Sequence, residues 1–187
     1  MEDAQEVLHF WFGVPPGLRR KAWFQKSALF DEAIRNHFLT MHNRAAQGRL
    51  EAWKETAAGA IALVIVTDQF PRNLFRGSPR AFATDAVALE TAARILASGW
   101  EATMTPVERQ FVYLPYEHSE KLADQERSLT LFESLAAFPE TPDALEYARR
   151  HCEIVKRFGR FPHRNGALSR PSTPEEIEFL AQPGSGF

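Results

Sequence analysis

Residues 56–69 read TAAGAIALVIVTDQ, and this stretch decides the fold because it is apolar on every side. Its β-branched residues would locally suit a buried strand. Its length and the good helix formers at its start are typical of a helix instead. We therefore predict a fully buried helix over residues 56–69 that closes at Asp68, with the other elements packed around it.

The rest of the chain also has helical periodicity. Apolar residues recur at steps of three or four between residues 30 and 45, and Gly48 follows as a C-cap. An alanine-rich helix is predicted over 78–98, and another over 142–159. No Asn-Gly or Asp-Gly turn lies between alternating apolar runs, so nothing favours a sheet.

Two helix starts carry capping signals. Thr105 and Thr173 are each followed by proline and, three residues on, by glutamate, which is the pattern of a capping box with proline at the first helical position. Together these patterns predict an all-α fold of seven or eight helices. The length of 187 residues predicts a single domain, 1–187.

Composition excludes several classes of protein. A hydrophobic content of 44% excludes global disorder, and a net charge of −2 argues against a protein built to grip nucleic acid. One cysteine excludes a disulfide framework and a cysteine-built zinc site. The acidic start and the lack of a long apolar run predict no targeting or membrane segment, so we expect a cytoplasmic location.

The first unusual polar segment is DQFPRN, residues 68–73. Asp68 shares a helical face with Ile61 and Val64, so its carboxylate is predicted to point inward. A buried carboxylate at the negative end of a helix needs a cationic partner. Arg72 and Arg76 are local candidates.

The second polar segment is PYEHSEKLADQ, residues 115–125. His118 and Gln125 fall on a helical stripe that otherwise consists of core residues and extends to Ala136. Glu120 and Asp124 lie one helical turn apart, which is unfavourable unless they share a cation. The pattern predicts a polar cluster on a buried helix face.

The third polar segment is RFGRFPHRN, residues 157–165. Between residues 149 and 170 there are seven Lys or Arg residues and one acid, Glu153. This basic segment complements the acids of the second segment. We expect Asp68 to be buried and to pair with a distant arginine from this segment, namely Arg157, Arg160 or Arg164.

The strings DQFPRN, PYEHSE and FGRFPHRN resemble the signatures of a bacterial family known only as domain of unknown function 924. The strings FWFG near the start, the Trp23-Phe24 pair and PGSGF at the end resemble it as well, so the resemblance spans essentially the whole chain. It implies an all-helical fold similar to the helix-hairpin superhelices of tetratricopeptide type. It implies no established activity and no catalytic residues.

The three segments carry complementary charges, acidic in the second and basic in the third, which favours a polar small-molecule site where they meet. The ligand would be anionic, because guanidinium groups bind phosphate and carboxylate in bidentate fashion. The residues expected to bind it are Arg72, Asn73, Arg160, His163, Arg164 and Asn165. Acid–base chemistry, if there is any, would fall to His118 and Glu117.

A structural interpretation stands beside the functional one. On it, the same polar residues form ion pairs and hydrogen bonds that hold the helices together. The residues assigned to this polar network are Asp68, Gln69, Glu120, Asp124, Gln125 and Arg157.

A second functional hypothesis is a non-catalytic module that binds a protein or peptide on the concave face of a helical superhelix. No cofactor, metal, nucleic acid or membrane partner is expected, and the Glu-x-x-His pair of helical di-metal sites is missing. Cys152 falls on a core stripe and is expected to be buried. Trp11, Phe12, Trp23 and Phe24 are expected to pack the N-terminal segment onto the bundle.

Overall fold

The computed structural model describes residues 2–186. These residues form helices and no strand, which confirms the all-α prediction. The α-helices are α1 (Glu2–Phe12), α2 (Ala28–Ala46), α3 (Ala57–Val64), α4 (Phe70–Leu74), α5 (Asp85–Ala97), α6 (Pro106–Glu117), α7 (Leu122–Glu133), α8 (Ala144–Phe158) and α9 (Pro174–Leu180). A π-helical turn, Ile65–Gln69, joins α3 and α4 into one continuous rod.

The rod formed by α3, the π-helical turn and α4 is the centre of the molecule. Its α3 part packs against α1, α5 and α6, and its α4 part packs against α2. Thr56 caps its start by accepting a hydrogen bond from Gly59 N at 3.1 Å. Gly59 is required there because a Cβ atom would lie 2.4 Å from the carbonyl oxygen of Trp53. The predicted buried helix is thus confirmed.

The predicted end of that helix at Asp68 is wrong, because the π-helical turn carries the rod on to Leu74. Phe70 N bonds the carbonyl of Ile65, five residues back, and Pro71 has no N–H to continue the ladder. The freed carbonyls accept hydrogen bonds from side chains elsewhere. His42 Nδ1 lies 3.0 Å from Val66 O, and Thr84, just before α5, donates its hydroxyl to Thr67 O at 2.6 Å. Asp68 therefore sits within a helix rather than at its end.

Most other helix predictions are confirmed. The capping boxes at Thr105 and Thr173 are both formed, with hydrogen bonds in both directions. α8 is followed by its C-cap Gly159, whose φ of 69° is readily adopted only by glycine. The alanine-rich helix begins at Asp85 and not at residue 78, because Pro79–Ala81 forms a separate 3₁₀ turn.

The predicted helical stripe through His118 and Gln125 is not one helix face. α6 ends at Glu117 and α7 begins at Leu122, so the second polar segment is largely a turn. Gln125, which is fully buried, donates to the carbonyls of Glu117 and Ser119 at 2.6 Å each. This side chain thus caps the C-terminus of α6 and allows the chain to leave the helix.

Consecutive helices α6, α7 and α8 pack neighbour to neighbour, as in helix hairpins. At the other end, Trp11 and Phe12 are buried and Trp23 packs 4.9 Å from the ring of Phe111. The predicted packing of the N-terminal aromatics is confirmed for these residues, whereas Phe24 is half exposed. Cys152 is buried, as predicted.

In residues 2–186 there is no helix with both the length and the apolar character needed to cross a bilayer.

Candidate functional site

A cleft of about 490 Å³ opens where α4, the end of α6 and the start of α8 meet the loop before α2. Its floor includes the two residues at the end of α6, Glu117 and His118. The remaining lining residues that matter for its chemistry are Arg19, Trp23, Phe24, Lys26, Gln69, Arg72, Asn73, Arg76, Gln110, Asp143, Tyr147, Arg150 and His151. The cleft therefore brings the first and second polar segments together.

Asp68 is the buried centre beneath this cleft. Its carboxylate is completely inaccessible to solvent. Oδ1 accepts a hydrogen bond from His118 Nδ1 at 2.8 Å and lies 3.2 Å from Arg72 Nη1, and Gln69 Nε2 donates to Oδ2 at 2.5 Å. Burial alone would raise the pKa of Asp68, but Arg72 and His118 outweigh it and lower the pKa to about 2. Asp68 is therefore ionised.

The expected burial of Asp68 is confirmed, but its expected partner is wrong. None of Arg157, Arg160 and Arg164 makes an ion pair with it. The helix continues past Asp68, so Arg72, four residues on, lies on the same side of the rod and reaches the carboxylate locally.

Asp85 is a second carboxylate that binds Arg72, the partner of Asp68. It accepts hydrogen bonds from both terminal nitrogens of Arg72, at 3.0 and 3.1 Å. Arg164 Nη1 lies 3.4 Å from the same carboxylate, and Arg164 Nη2 donates to the backbone carbonyl of His118 at 2.9 Å. The basic third segment thus reaches the centre through Asp85 and the end of α6.

Arg164 is nearly buried and is held between two aromatic rings. Its guanidinium carbon lies 4.6 Å from the ring centroids of both Phe82 and Phe161. Burial and the neighbouring Arg72 lower its pKa to about 10. It remains charged at neutral pH, and its hydrogen bond to the backbone carbonyl of His118 helps to fix the position of that residue.

His118 is held in one tautomer. Because a carboxylate only accepts, Nδ1 carries the proton that it donates to Asp68. Nε2 makes no hydrogen bond to any residue of 2–186, and the side chain lines the cleft and is 14% exposed. Burial and the positive charge of Arg72 lower the pKa of His118, so the ring is neutral at neutral pH.

Glu117 is buried beside His118 under very different conditions. Its Oε1 atom lies 3.3 Å from Nδ1 of His151, which is already 2.8 Å from the carbonyl of Tyr147. Burial and the charge of Asp68 raise the pKa of Glu117 to about 8, so it is mostly protonated at neutral pH. Burial lowers the pKa of His151 to about 3, so this ring does not supply a countercharge.

Cationic side chains dominate the wall of the cleft. Five of them line it (Arg19, Lys26, Arg72, Arg76 and Arg150), against the carboxyl groups of Glu117 and Asp143. Three of the arginines are in ion pairs, with Asp143, Asp31 and the Asp68–Asp85 couple. Lys26 is exposed and makes no ion pair with a described residue.

The residues expected to bind the ligand divide into two groups. Arg72 and Asn73 line the cleft, together with the proposed acid–base residues Glu117 and His118. Arg160, His163, Arg164 and Asn165 are not among the residues that line it.

The second group has other roles in the structure. Arg160 binds Glu176 in bidentate fashion at 2.7 and 2.8 Å, and Asn165 donates to the same carboxylate at 3.2 Å. The His163 ring packs 5.6 Å from that of Phe161. These residues fasten α9 and the third polar segment to each other.

The remaining residues of the expected polar network also lie in different places. Glu120 accepts from Arg170 at 2.6 and 2.9 Å and from Phe161 N at 2.8 Å, which joins the second and third segments. Asp124 accepts from the hydroxyl of Ser119 at 2.6 Å within its own turn. Arg157 lies apart from the network, in an exposed pair with Glu175.

Sequence reasoning missed Asp85, Lys26 and Arg150 as site residues. Asp85 lay within a predicted alanine-rich helix and outside the three polar segments. Lys26 lies outside the three polar segments and Arg150 lies at the start of the basic stretch 149–170, and only the tertiary structure places them together at the cleft. Within residues 2–186, no group of three or more His, Cys, Asp and Glu side chains is arranged to hold a metal ion.

Comparison with known proteins gives two matches. The family model described as "Bacterial protein of unknown function (DUF924)" matches residues 7–184. A solved structure described as a protein of unknown function from Agrobacterium tumefaciens is 39% identical, with a TM-score of 0.86 over 95% of this chain and 96% of that chain. No curated protein matches.

Proposed function

The chain belongs to the bacterial family of unknown function DUF924, as its three polar strings indicate. We propose that its cleft binds a small organic anion. The anion carries a carboxylate or phosphate group next to an apolar part. The observation that carries the proposal is the charge of the cleft wall, where five cationic side chains face two carboxyl groups. One of those two, Glu117, is mostly protonated at neutral pH.

Three of the five cationic side chains of the wall make ion pairs with carboxylates. Asp31, Asp68 and Asp85 stand behind the wall and balance Arg72 and Arg76, and Asp143 balances Arg19. Lys26 makes no ion pair with a described residue, and Arg150 donates to the carbonyl of Gly184 at 3.0 Å. The exposed positive charge of Lys26 suits a carboxylate or phosphate group.

The other part of the lining supports an organic rather than a purely inorganic anion. Trp23, Phe24 and Tyr147 present aromatic rings, and Leu114 and Phe132 lie deeper. Aromatic side chains contribute apolar contact area to a bound ring or chain. An anion with a hydrophobic portion would use both halves of the lining.

A protein or peptide partner remains the second hypothesis from the sequence. A concave peptide-binding face of helical hairpins would be expected to be open, with its charged groups at the rim. Here charged and titratable groups reach the floor, where Glu117 is 3% and His118 14% exposed. This favours a small molecule over a peptide.

The test compares phenyl phosphate with inorganic phosphate by isothermal titration calorimetry at low ionic strength. We expect both to bind and phenyl phosphate to bind more tightly, because only it has a ring for the aromatic wall. Lys26→Glu, which reverses one unpaired charge, is expected to weaken binding by about tenfold.

Lys121→Glu is the matched control, because Lys121 is exposed and lies outside the cleft. It changes the net charge by the same amount and should leave the affinity unchanged. The proposal is contradicted if neither phosphate binds, or if the two lysine variants lose affinity equally.

A further inference from the structure

We infer that Asp68, His118 and Glu117 form a proton-transfer centre at the floor of the cleft, in which His118 Nε2 is the general base and the Glu117 carboxyl is the general acid. Asp68 is the positioning residue. The inference rests on the proposed function for its substrate, a small organic anion, but its geometry belongs to the protein alone.

The base is set up by hydrogen bonding. Asp68 accepts the Nδ1 proton of His118 at 2.8 Å and is itself fixed by Gln69 and Arg72. The second bond to His118, from Arg164 to its backbone carbonyl, holds the end of α6. With Nδ1 protonated, the lone pair of the imidazole is on Nε2, which has no partner within the described residues.

The acid lies next to the base. Glu117 is adjacent in sequence, also lines the cleft, and contacts His151 at 3.3 Å. The ring of His151 in turn lies 6.3 Å from that of His118. The acid and the base are thus within reach of one small molecule.

The charged groups around the pair favour this assignment of roles. Burial and the charge of Arg72 on α4 disfavour an imidazolium at His118, while Arg164 of the 3₁₀ turn 162–164 bonds its backbone carbonyl and the neutral His151 ring of α8 lies 6.3 Å away. Asp68 and Asp85 face it from the central rod and α5, and they stabilise the imidazolium once a proton arrives. Burial and the negative Asp68 keep the proton of Glu117 in place, and His151, 3.3 Å from its carboxyl, is neutral. Two neighbouring groups with pKa values moved in opposite directions are the mark of an acid–base pair.

The step balances in protons. His118 Nε2 takes a proton from a C–H bond next to a carbonyl group of the bound anion, and the electron pair of that bond moves toward the carbonyl. Glu117 donates its proton to the carbonyl oxygen, so that one C–H bond is broken, one O–H bond is formed and the product is the enol tautomer of the anion. The centre then holds an imidazolium and a carboxylate, and it returns to its starting state when the proton of His118 passes to Glu117 through water. The only side-chain hydroxyls in the described lining are Thr141 and Tyr147, and neither contacts His118, so no covalent intermediate is assigned.

Reactivity distinguishes a general base from a histidine that only packs. Diethyl pyrocarbonate acylates neutral imidazole nitrogens, and we expect it to modify His118 of the wild type at Nε2, measured by mass spectrometry of the peptide. Asp68→Asn should slow this modification by about tenfold, because the ring loses a hydrogen bond to a charged group. The exposed His9, in the same sample, is the internal control and should react at an unchanged rate.

Two spectroscopic measurements on the ligand-free protein test the inference even if Asp68→Asn fails to fold. Two-bond ¹H–¹⁵N spectra are expected to show His118 as the Nδ1–H tautomer in the wild type and in Asp85→Asn, since Asp85 bonds Arg72 and Arg164 but not His118. Infrared spectra at neutral pH should show a protonated carboxyl band that is absent in Glu117→Gln. The band should persist in Glu120→Gln, because Arg170 keeps Glu120 ionised.

An Nε2–H tautomer in the wild type, an unreactive His118 or an ionised Glu117 at neutral pH would each overturn the inference. Failure of anion binding with these three results intact would refute the proposed function alone. Loss of any of the three with binding intact would refute the proton-transfer centre alone.

Discussion

Glu117→Gln should make the protein more resistant to alkaline pH. In the folded protein, burial and Asp68 raise the pKa of Glu117 to about 8, whereas its ordinary value is 4.5. The folded state therefore keeps a proton that the unfolded chain has released. Stability from this group is fully present below pH 4.5 and is lost as pH rises to about 8, where the loss levels off. Glutamine cannot ionise and has no such loss.

The size of the effect follows from the shift in pKa. Each pKa unit corresponds to about 1.4 kcal/mol, so the full shift is worth roughly 5 kcal/mol. Between pH 6 and 9, the advantage of the variant over the wild type should grow by about 3 kcal/mol. Contributions of the histidines are common to both proteins and cancel in the difference.

The assay is urea unfolding of the wild type and Glu117→Gln at pH 6, 7.5 and 9. Glu120→Gln is the control, because Arg170 and the N–H of Phe161 outweigh burial and lower the pKa of Glu120, so its ionisation ends well below this window. Its difference from the wild type should stay constant. A Glu117→Gln difference that is equally constant would show that Glu117 is ionised in the folded protein and that the account of its burial is wrong.

Three further outcomes are expected. Asp68→Ala should lower the free energy of unfolding by about 3 kcal/mol or more, since it removes the partner of buried groups, and Asp68→Asn should lower it less. If urea unfolding of Asp68→Ala shows a loss below about 1 kcal/mol, which is typical of exposed pairs, the burial of Asp68 is contradicted. Gly59→Ala should cost about 1–3 kcal/mol by overpacking against a backbone carbonyl, whereas Gly166→Ala, with nothing within 4 Å, should be nearly neutral; equal effects would refute the steric reason. In Glu117→Gln, where position 117 does not titrate, stability should fall by about 2–3 kcal/mol per pH unit below about pH 6, because burial lowers the pKa of His151 to about 3 and that of His163 to about 4. A flat profile of this variant from pH 6 to 4.5 would count against both.

Local signals were enough to predict most of the helices. The apolar run 56–69, the capping residues Thr105 and Thr173 and the terminal Gly159 act within a few residues of chain, so their effect can be read without a partner. The membership of the three polar strings in one family is likewise a property of the sequence, and the family match confirms it.

The candidate site was predicted in part. The sequence placed Arg72, Asn73, Glu117 and His118 in polar segments, and the structure brings these four to one cleft. It did not predict the path of the chain around them. Gln125 caps α6 and turns a predicted helix face into a loop, which a count of helical steps does not reveal.

The sequence by itself determined that Asp68 is buried, since the residues that precede it on its helical face, Ile61 and Val64, are apolar. Only the tertiary structure decided what the carboxylate binds. Pro71 interrupts the backbone ladder, side chains from α2 and the start of α5 satisfy the freed carbonyls, and the rod continues far enough for Arg72 to reach Asp68. The same is true of Glu117, because a raised pKa depends on which charges share its buried space, and those charges come from distant parts of the chain.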